Sequence, residues 1–226
     1  MLELLEVLIP NWNRGGHLIW DATVATLQMF GIAGGIAFVL GTFFGVLLVV
    51  TKRGGILEQL FIYNFLDKAI NIIRSVPFPI LLVLLIPMSR AIVGTGSGMP
   101  AMIIPLVFGT VPFFARQIES AIAELDSGLI EASLSMGMSP LEIIFSVYLR
   151  ESIPSIARVT QITAINLLAL TTLAGMIGAG GLGDFAIQFG QHLRMRDLLW
   201  TAVVIIAIMV SVIQGIGNVI IKLASK

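Results

Sequence analysis

An all-helical protein crossing a membrane about five times is the fold the sequence predicts, on three observations. Hydrophobic residues make up 57% of the 226-residue chain and charged ones 12%, against roughly a quarter charged in soluble domains. Long charge-free apolar runs recur along the chain. The longest polar segment is internal, from Arg116 to Arg158. A soluble domain of this size could not bury so much apolar surface, so lipid must cover the remainder.

Composition also excludes several function classes. Thirteen basic and thirteen acidic residues give a formal net charge of zero, which argues against nucleic-acid binding because phosphate contacts require a basic patch. With no cysteine, disulfides, thiolate metal sites and cysteine nucleophiles are ruled out. His17 and His192 are too few and too far apart to suggest a zinc site. No metal site, bound cofactor or catalytic residue is expected.

Residues 1–19 read as an N-terminal arm. It opens with Glu3 and Glu6 and first shows arginine at Arg14, the wrong charge order for a secretory signal. Leu2, Leu5, Leu8 and Ile9 could form the apolar stripe of a helix lying at the membrane surface, or a partly ordered arm. Residues 20–226 read as a single membrane domain. A crossing helix needs roughly 20 mostly apolar residues. Ala22–Thr51, Ala91–Ala115, Val159–Gly183 and Leu198–Ile221 supply this without a charge. A fifth span is expected around Ala69–Met88, with Arg74 near its end reaching for the interface.

Five crossings put the termini on opposite faces. With the N-terminus outside, the cytoplasmic side receives Lys52, Arg53, Arg116, Arg150, Arg158, Lys222 and Lys226. The outer side receives Arg14, Arg90, Arg194 and Arg196. Basic residues favour the cytoplasm, so the expected topology is N-terminus out and C-terminus in. In the first span, Gly31 with Gly35 and Gly41 with Gly45 stand four apart, on one helix face, and predict close helix packing. Pro77, Pro79, Pro87, Pro100, Pro105 and Pro112 predict kinked or interrupted helices in spans two and three.

The loop between spans three and four, about residues 124–152, has internal architecture. Asp126 or Ser127 can N-cap a short helix that stops at Gly137. Ser139, Pro140 and Glu142 then form a capping box with proline at the first helical position. Small residues beside Glu131 suit either a knob for a partner's groove or a helix resting on headgroups. The string Gly178-Ala-Gly180-Gly-Leu-Gly183 satisfies G-x-G-x-x-G, with Asp197 about 20 residues on. The apolar run before it is helix-length and no βαβ pattern surrounds it, so a flexible turn at the outer end of span four is expected instead. No P-loop motif occurs, so ATP is not bound here by that means.

Glu131-Ala132-Ser133-x-x-x-Gly137, followed by Val147-x-Leu149, resembles the EAA loop of ABC-importer permeases. Two departures are visible. Ser133 replaces a second alanine, and Arg150 stands where that pattern has proline, with Pro154 a candidate to open span four. Arg74–Phe78, Ile92–Thr95, Pro112–Arg116, Gly128–Ser133 and Gly178–Gly183 are similar to the methionine-uptake branch, over about Trp20 to the C-terminus.

The resemblance implies a type I importer permease fold in the bacterial inner membrane, working as a homodimer. It also implies two cytoplasmic ABC ATPase subunits that use ATP and Mg, and an external methionine-binding protein or lipoprotein. Glu131, Ala132, Ser133, Gly137, Ser139 and Pro140 would form the coupling helix that docks on the ATPase. The cargo would be L- or D-methionine, and no substrate-binding residue can be named. Another small amino acid or a dipeptide is the alternative cargo. An ion-coupled secondary transporter or a passive channel or scaffold is the alternative class, disfavoured because ion-coupled carriers place ionisable groups at mid-membrane.

Overall fold

The computed structural model describes residues 9–224, and every regular element among them is helical. A π-helical turn, Trp12–Gly16, leads into α1 (Leu18–Thr51). Next come α2 (Leu60–Ser75), α3 (Phe78–Val93) and α4 (Gly98–Ala123). The inter-span loop carries α5 (Ser127–Ser135) and α6 (Pro140–Ile143), the latter widening into a π-helical segment, Ile144–Leu149. Then follow α7 (Ile153–Ala174), α8 (Gly181–Phe185) and α9 (Arg196–Ala224). The expected stripe at Leu2, Leu5 and Leu8 lies outside the described residues.

Four helices are long and apolar enough to cross a membrane: α1, α4, α7 with its continuation to Ala179, and α9. They begin earlier or end later than the charge-free runs, because helical hydrogen bonding carries past the first charged residue. The expected helix over Ala69–Met88 is instead two helices, α2 and α3. Pro77 forces the break: Val76 before it is extended (φ −83°, ψ 121°), as the residue preceding proline prefers. Pro79 falls in the first turn of α3, where its missing N–H costs nothing. Counted as one broken span, the pair makes the fifth crossing. Ala91–Val93 closes α3 and does not open α4.

The chain divides into two compact units. One comprises residues 9–35, Pro77–Val107 and Ile165–Ile213. Its first core gathers Met29, Ala33, Leu82, Ala101, Met102, Leu106, Leu167 and Ala174, with small alanines letting the helices approach. Its second core joins Ile19 and Ala22 to Leu182, Phe185, Phe189, Leu198 and Ala202. The arm is anchored there, because Asn11 donates from its backbone N–H and its Nδ2 to the Asp197 carboxylate, each at 2.8 Å.

The glycine string lies in this unit, and it is a packed turn, contrary to the flexible loop expected. Gly178, Gly180 and Gly181 take φ of 89°, 79° and 80°, a region costly for any residue with a Cβ. Gly181, Leu182 and Gly183 are buried. The Leu182 N–H donates to Thr26 Oγ1 at 2.8 Å, and that hydroxyl donates to the Ala22 carbonyl at 3.0 Å. The glycines allow two helices to meet, which accounts for the motif without a dinucleotide.

The other unit comprises Ile36–Val76, Phe108–Ala164 and residues 214–224. Here the glycine prediction divides. A Cβ on Gly41 or Gly45 would sit 2.6 Å from Phe114 or Ile118, so these glycines let α1 lie directly on α4. Gly31 and Gly35 have nothing within 4 Å of such a Cβ among the described residues. They pack against no helix among the described residues. In the same unit α2 seats Tyr63, Leu66 and Ile70 against Leu48 and Ala115. Arg116 ties α4 to α2 through Asp67 and Asn71, and pairs with Glu119 at 2.7 Å.

Candidate functional site

The site is the loop from Asp126 to Arg150, and local capping builds it. Asp126 Oδ1 accepts from the Gly128 N–H at 2.9 Å, capping α5. At the other end Gly137 takes φ 79°. Its N–H donates to the Leu134 carbonyl at 3.0 Å, and the Met138 N–H to Ser133 at 3.2 Å, the paired bonds of a Schellman ending. Two residues on, Ser139 Oγ accepts from the Glu142 N–H at 3.4 Å, while the Glu142 carboxylate takes the Ser139 N–H at 2.7 Å. The Ser139 N–H, and after it the Ser139 hydroxyl donating to the same carboxylate at 2.7 Å, hold the Glu142 carboxyl below its ordinary 4.5.

The loop rests on a hydrophobic base. Ile143, Val147 and Tyr148 are buried with Val49, Val50, Phe114, Ile118 and Ile122, and Leu125, Ile130 and Met138 pack against them. Burial pushes the Tyr148 phenol up from its ordinary 10.0. Ser155 Oγ donates to Glu124 at 2.8 Å, tying the start of the loop to α7. Arg150, where the family pattern has proline, is an ordinary helical residue (φ −68°, ψ −49°). Pro154 stands in the first turn of α7, as expected, so the departure is absorbed without distortion.

Of the six expected coupling residues, Glu131, Ala132, Gly137, Ser139 and Pro140 are exposed. Ser133 is not. It is 5% exposed and its hydroxyl donates to the Leu129 carbonyl at 2.7 Å, so its small size serves the seat beneath the helix. Residues outside that set complete the outer surface. Leu129 is 46% exposed and Met136 73%, and with Ala132 they stand at i, i+3 and i+7, on one helical face. Their signal in the sequence was slight: apolar side chains in an otherwise small and polar helix. Among the described residues no three His, Cys, Asp or Glu side chains gather into a group that could hold a metal.

Membrane-length helices carrying a rigid, fully capped loop helix with an apolar outer face define a multi-pass membrane protein that presents a surface between two of its spans. Comparison with known proteins agrees. The model of the binding-protein-dependent transport system inner membrane component family matches residues 41–226. The probable D-methionine transport system permease protein MetI of Vibrio cholerae is 44% identical over 95% of this chain and 96% of its own length. The methionine import system permease protein MetP of Bacillus subtilis is 40% identical over 99% and 100%. Among solved structures, an inward-facing form of the MetNI methionine ABC transporter superposes with a TM-score of 0.88 at 39% identity, covering 92% of this chain and 97% of that one. An amino acid ABC transporter solved with histidines shares the fold, with a TM-score of 0.77 at 20% identity.

The chain therefore belongs to the family of binding-protein-dependent transport system inner membrane components. It is a permease subunit of an ABC importer.

Proposed function

We propose that this chain forms, as a homodimer, the translocation pathway of an importer for L- and D-methionine in the bacterial inner membrane. Two cytoplasmic ABC ATPases beneath it supply the energy from ATP and Mg. A methionine-binding protein delivers cargo at the outer face, and the N-terminus lies outside with the C-terminus in the cytoplasm. The observation that carries this reading is the capped helix α5, whose exposed Leu129, Ala132 and Met136 offer an apolar knob on a rigid stalk. Closure of the ATPases on ATP moves the two knobs, and each drags the α6–α7 segment with it. The spans then shift between inward-open and outward-open arrangements, a change of populations driven by nucleotide.

The test exploits Gly137, whose left-handed backbone a β-branched residue adopts only with strain. Gly137→Val should lower labelled methionine uptake at least tenfold in cells lacking other methionine carriers, at unchanged membrane abundance. The ATPase activity that remains should no longer respond to cargo. Full uptake in that variant counts against α5 as the coupling element. Competition by unlabelled D-methionine, other small amino acids and dipeptides identifies the cargo.

A further inference from the structure

Beside the coupling loop, in the same unit, runs an apolar groove of about 450 Å³. One wall is α1, through Phe38, Val39, Thr42, Phe43, Val46 and Val50, and the other is the α6 segment, through Leu141, Phe145 and Leu149. Phe43, Leu141 and Phe145 are 58%, 65% and 66% exposed, so nothing among the described residues covers them. Three features together say what does.

The first is length. From Phe38 to Val50 the groove follows α1 for about 18 Å at 1.5 Å per residue, close to the roughly 15 Å depth of one leaflet's hydrocarbon. The second is chemistry: Thr42 supplies the one polar side chain among the lining residues. The third is charge. Lys52 and Arg53 follow directly after the groove's α1 wall and Arg150 directly after Leu149, and among the described residues none of the three is in an ion pair. The turn closes on itself, because the Leu57 N–H donates to the Val50 carbonyl at 2.9 Å, seating Leu57 at the groove's end. The one carboxylate of that turn, Glu58, accepts from the Gly54 N–H at 2.8 Å.

We infer that the groove holds an acyl chain of an anionic phospholipid whose headgroup meets Lys52 and Arg53. An apolar trough one leaflet deep, ending in unpaired cations, matches a lipid with a chain at one end and excess negative charge at the other. Each basic side chain near an anionic surface is worth roughly a fivefold preference. The assignment rests on the membrane reading above, but not on transport, nucleotide or the direction of the termini.

The assembly extracted from the membrane is stripped of lipid by detergent exchange and then given phosphatidylglycerol or phosphatidylcholine. Lipid retained per chain is counted by native mass spectrometry. The expected result is one tightly held phosphatidylglycerol per chain, kept over phosphatidylcholine by roughly tenfold or more. Lys52→Gln with Arg53→Gln, at exposed or half-buried positions, should erase that preference while leaving the elution profile unchanged. Val46→Trp, which fills the trough, should abolish retention of both lipids. Equal retention of the two lipids by the natural chain overturns the inference, as does undiminished phosphatidylglycerol on Val46→Trp. If neither lipid is retained and Val46→Trp instead splits the assembly, the groove belongs to a second copy of the chain. Since none of these readouts involves transport, a lost coupling assignment and a lost lipid site remain separable.

Discussion

Gly31, Gly35, Gly41 and Gly45 share a spacing but not a role, and the difference shows what a single residue decides here. Spacing puts two glycines on one face of a helix but does not say what faces them. Of these four, only Gly41 and Gly45 meet a neighbour among the described residues, the Phe114–Ile118 stretch of α4. Overpacking a close contact costs about 1–3 kcal/mol. Gly41→Leu should therefore lower the thermal midpoint of the detergent-solubilised protein markedly, while Gly31→Leu leaves it nearly unchanged. Equal effects would mean that the α1–α4 contact is not what Gly41 secures. Thr110 supplies an opposite case. It is fully buried in α4 and its Oγ1 has no hydrogen-bond partner among the described residues. Replacing an unsatisfied hydroxyl by a methyl of the same shape removes a desolvation penalty of about 1–3 kcal/mol. Thr110→Val should raise the midpoint, and a lowered one would show that the hydroxyl is satisfied after all.

At the level of elements, what was legible in the sequence was what local chemistry determines. The caps at Asp126, Gly137 and Ser139 were readable residue by residue, because each depends on hydrogen bonds within four or five positions. The prolines of span two predict an interruption, and the chain does break there, at Val76–Pro77. What the sequence does not show is the length of the first half: Arg74, expected near the end of one span, closes a separate 16-residue helix whose apolar side packs on Leu48 and Ala115. The glycine string was mistaken for a mobile turn, since its partners, Thr26 and Thr172, lie far away or across the turn.

The capping box at α6 gives a pH-dependent prediction. The Glu142 carboxyl is held below its ordinary 4.5 by Ser139, so its folded-state value is the lower one. The stabilisation is fully present above 4.5 and is lost as pH falls through the lowered value. Amide exchange over residues 141–145 should be several-fold faster in Glu142→Gln than in the natural protein at neutral pH. Once the pH is well below that lowered value the two should converge. A difference that persists at low pH would show that the carboxylate is not the capping group.

Over the whole molecule, the question is whether the loop acts as a rigid handle or merely as a link between spans. A link needs only length, and this segment spends residues on three caps, a buried base and a tie from Ser155 to Glu124. Rigidity is useful where force applied at one end must arrive at the other. Side chains that transmit it have to face outward and be apolar enough to desolvate against a partner. Leu129 and Met136 meet both conditions, and because they are exposed their replacement leaves the base intact. Central apolar anchors typically cost 2 kcal/mol or more when removed from an interface, about a thirtyfold loss of affinity. Leu129→Asp with Met136→Asp should thus abolish co-purification of the ATPase while the chain still inserts, resists mild detergent and elutes as the natural protein does. Leu141→Asp, equally exposed but lining the lipid groove, should retain the ATPase. A stoichiometric ATPase on the Leu129–Met136 double variant would move the docking surface elsewhere and leave α5 a structural brace.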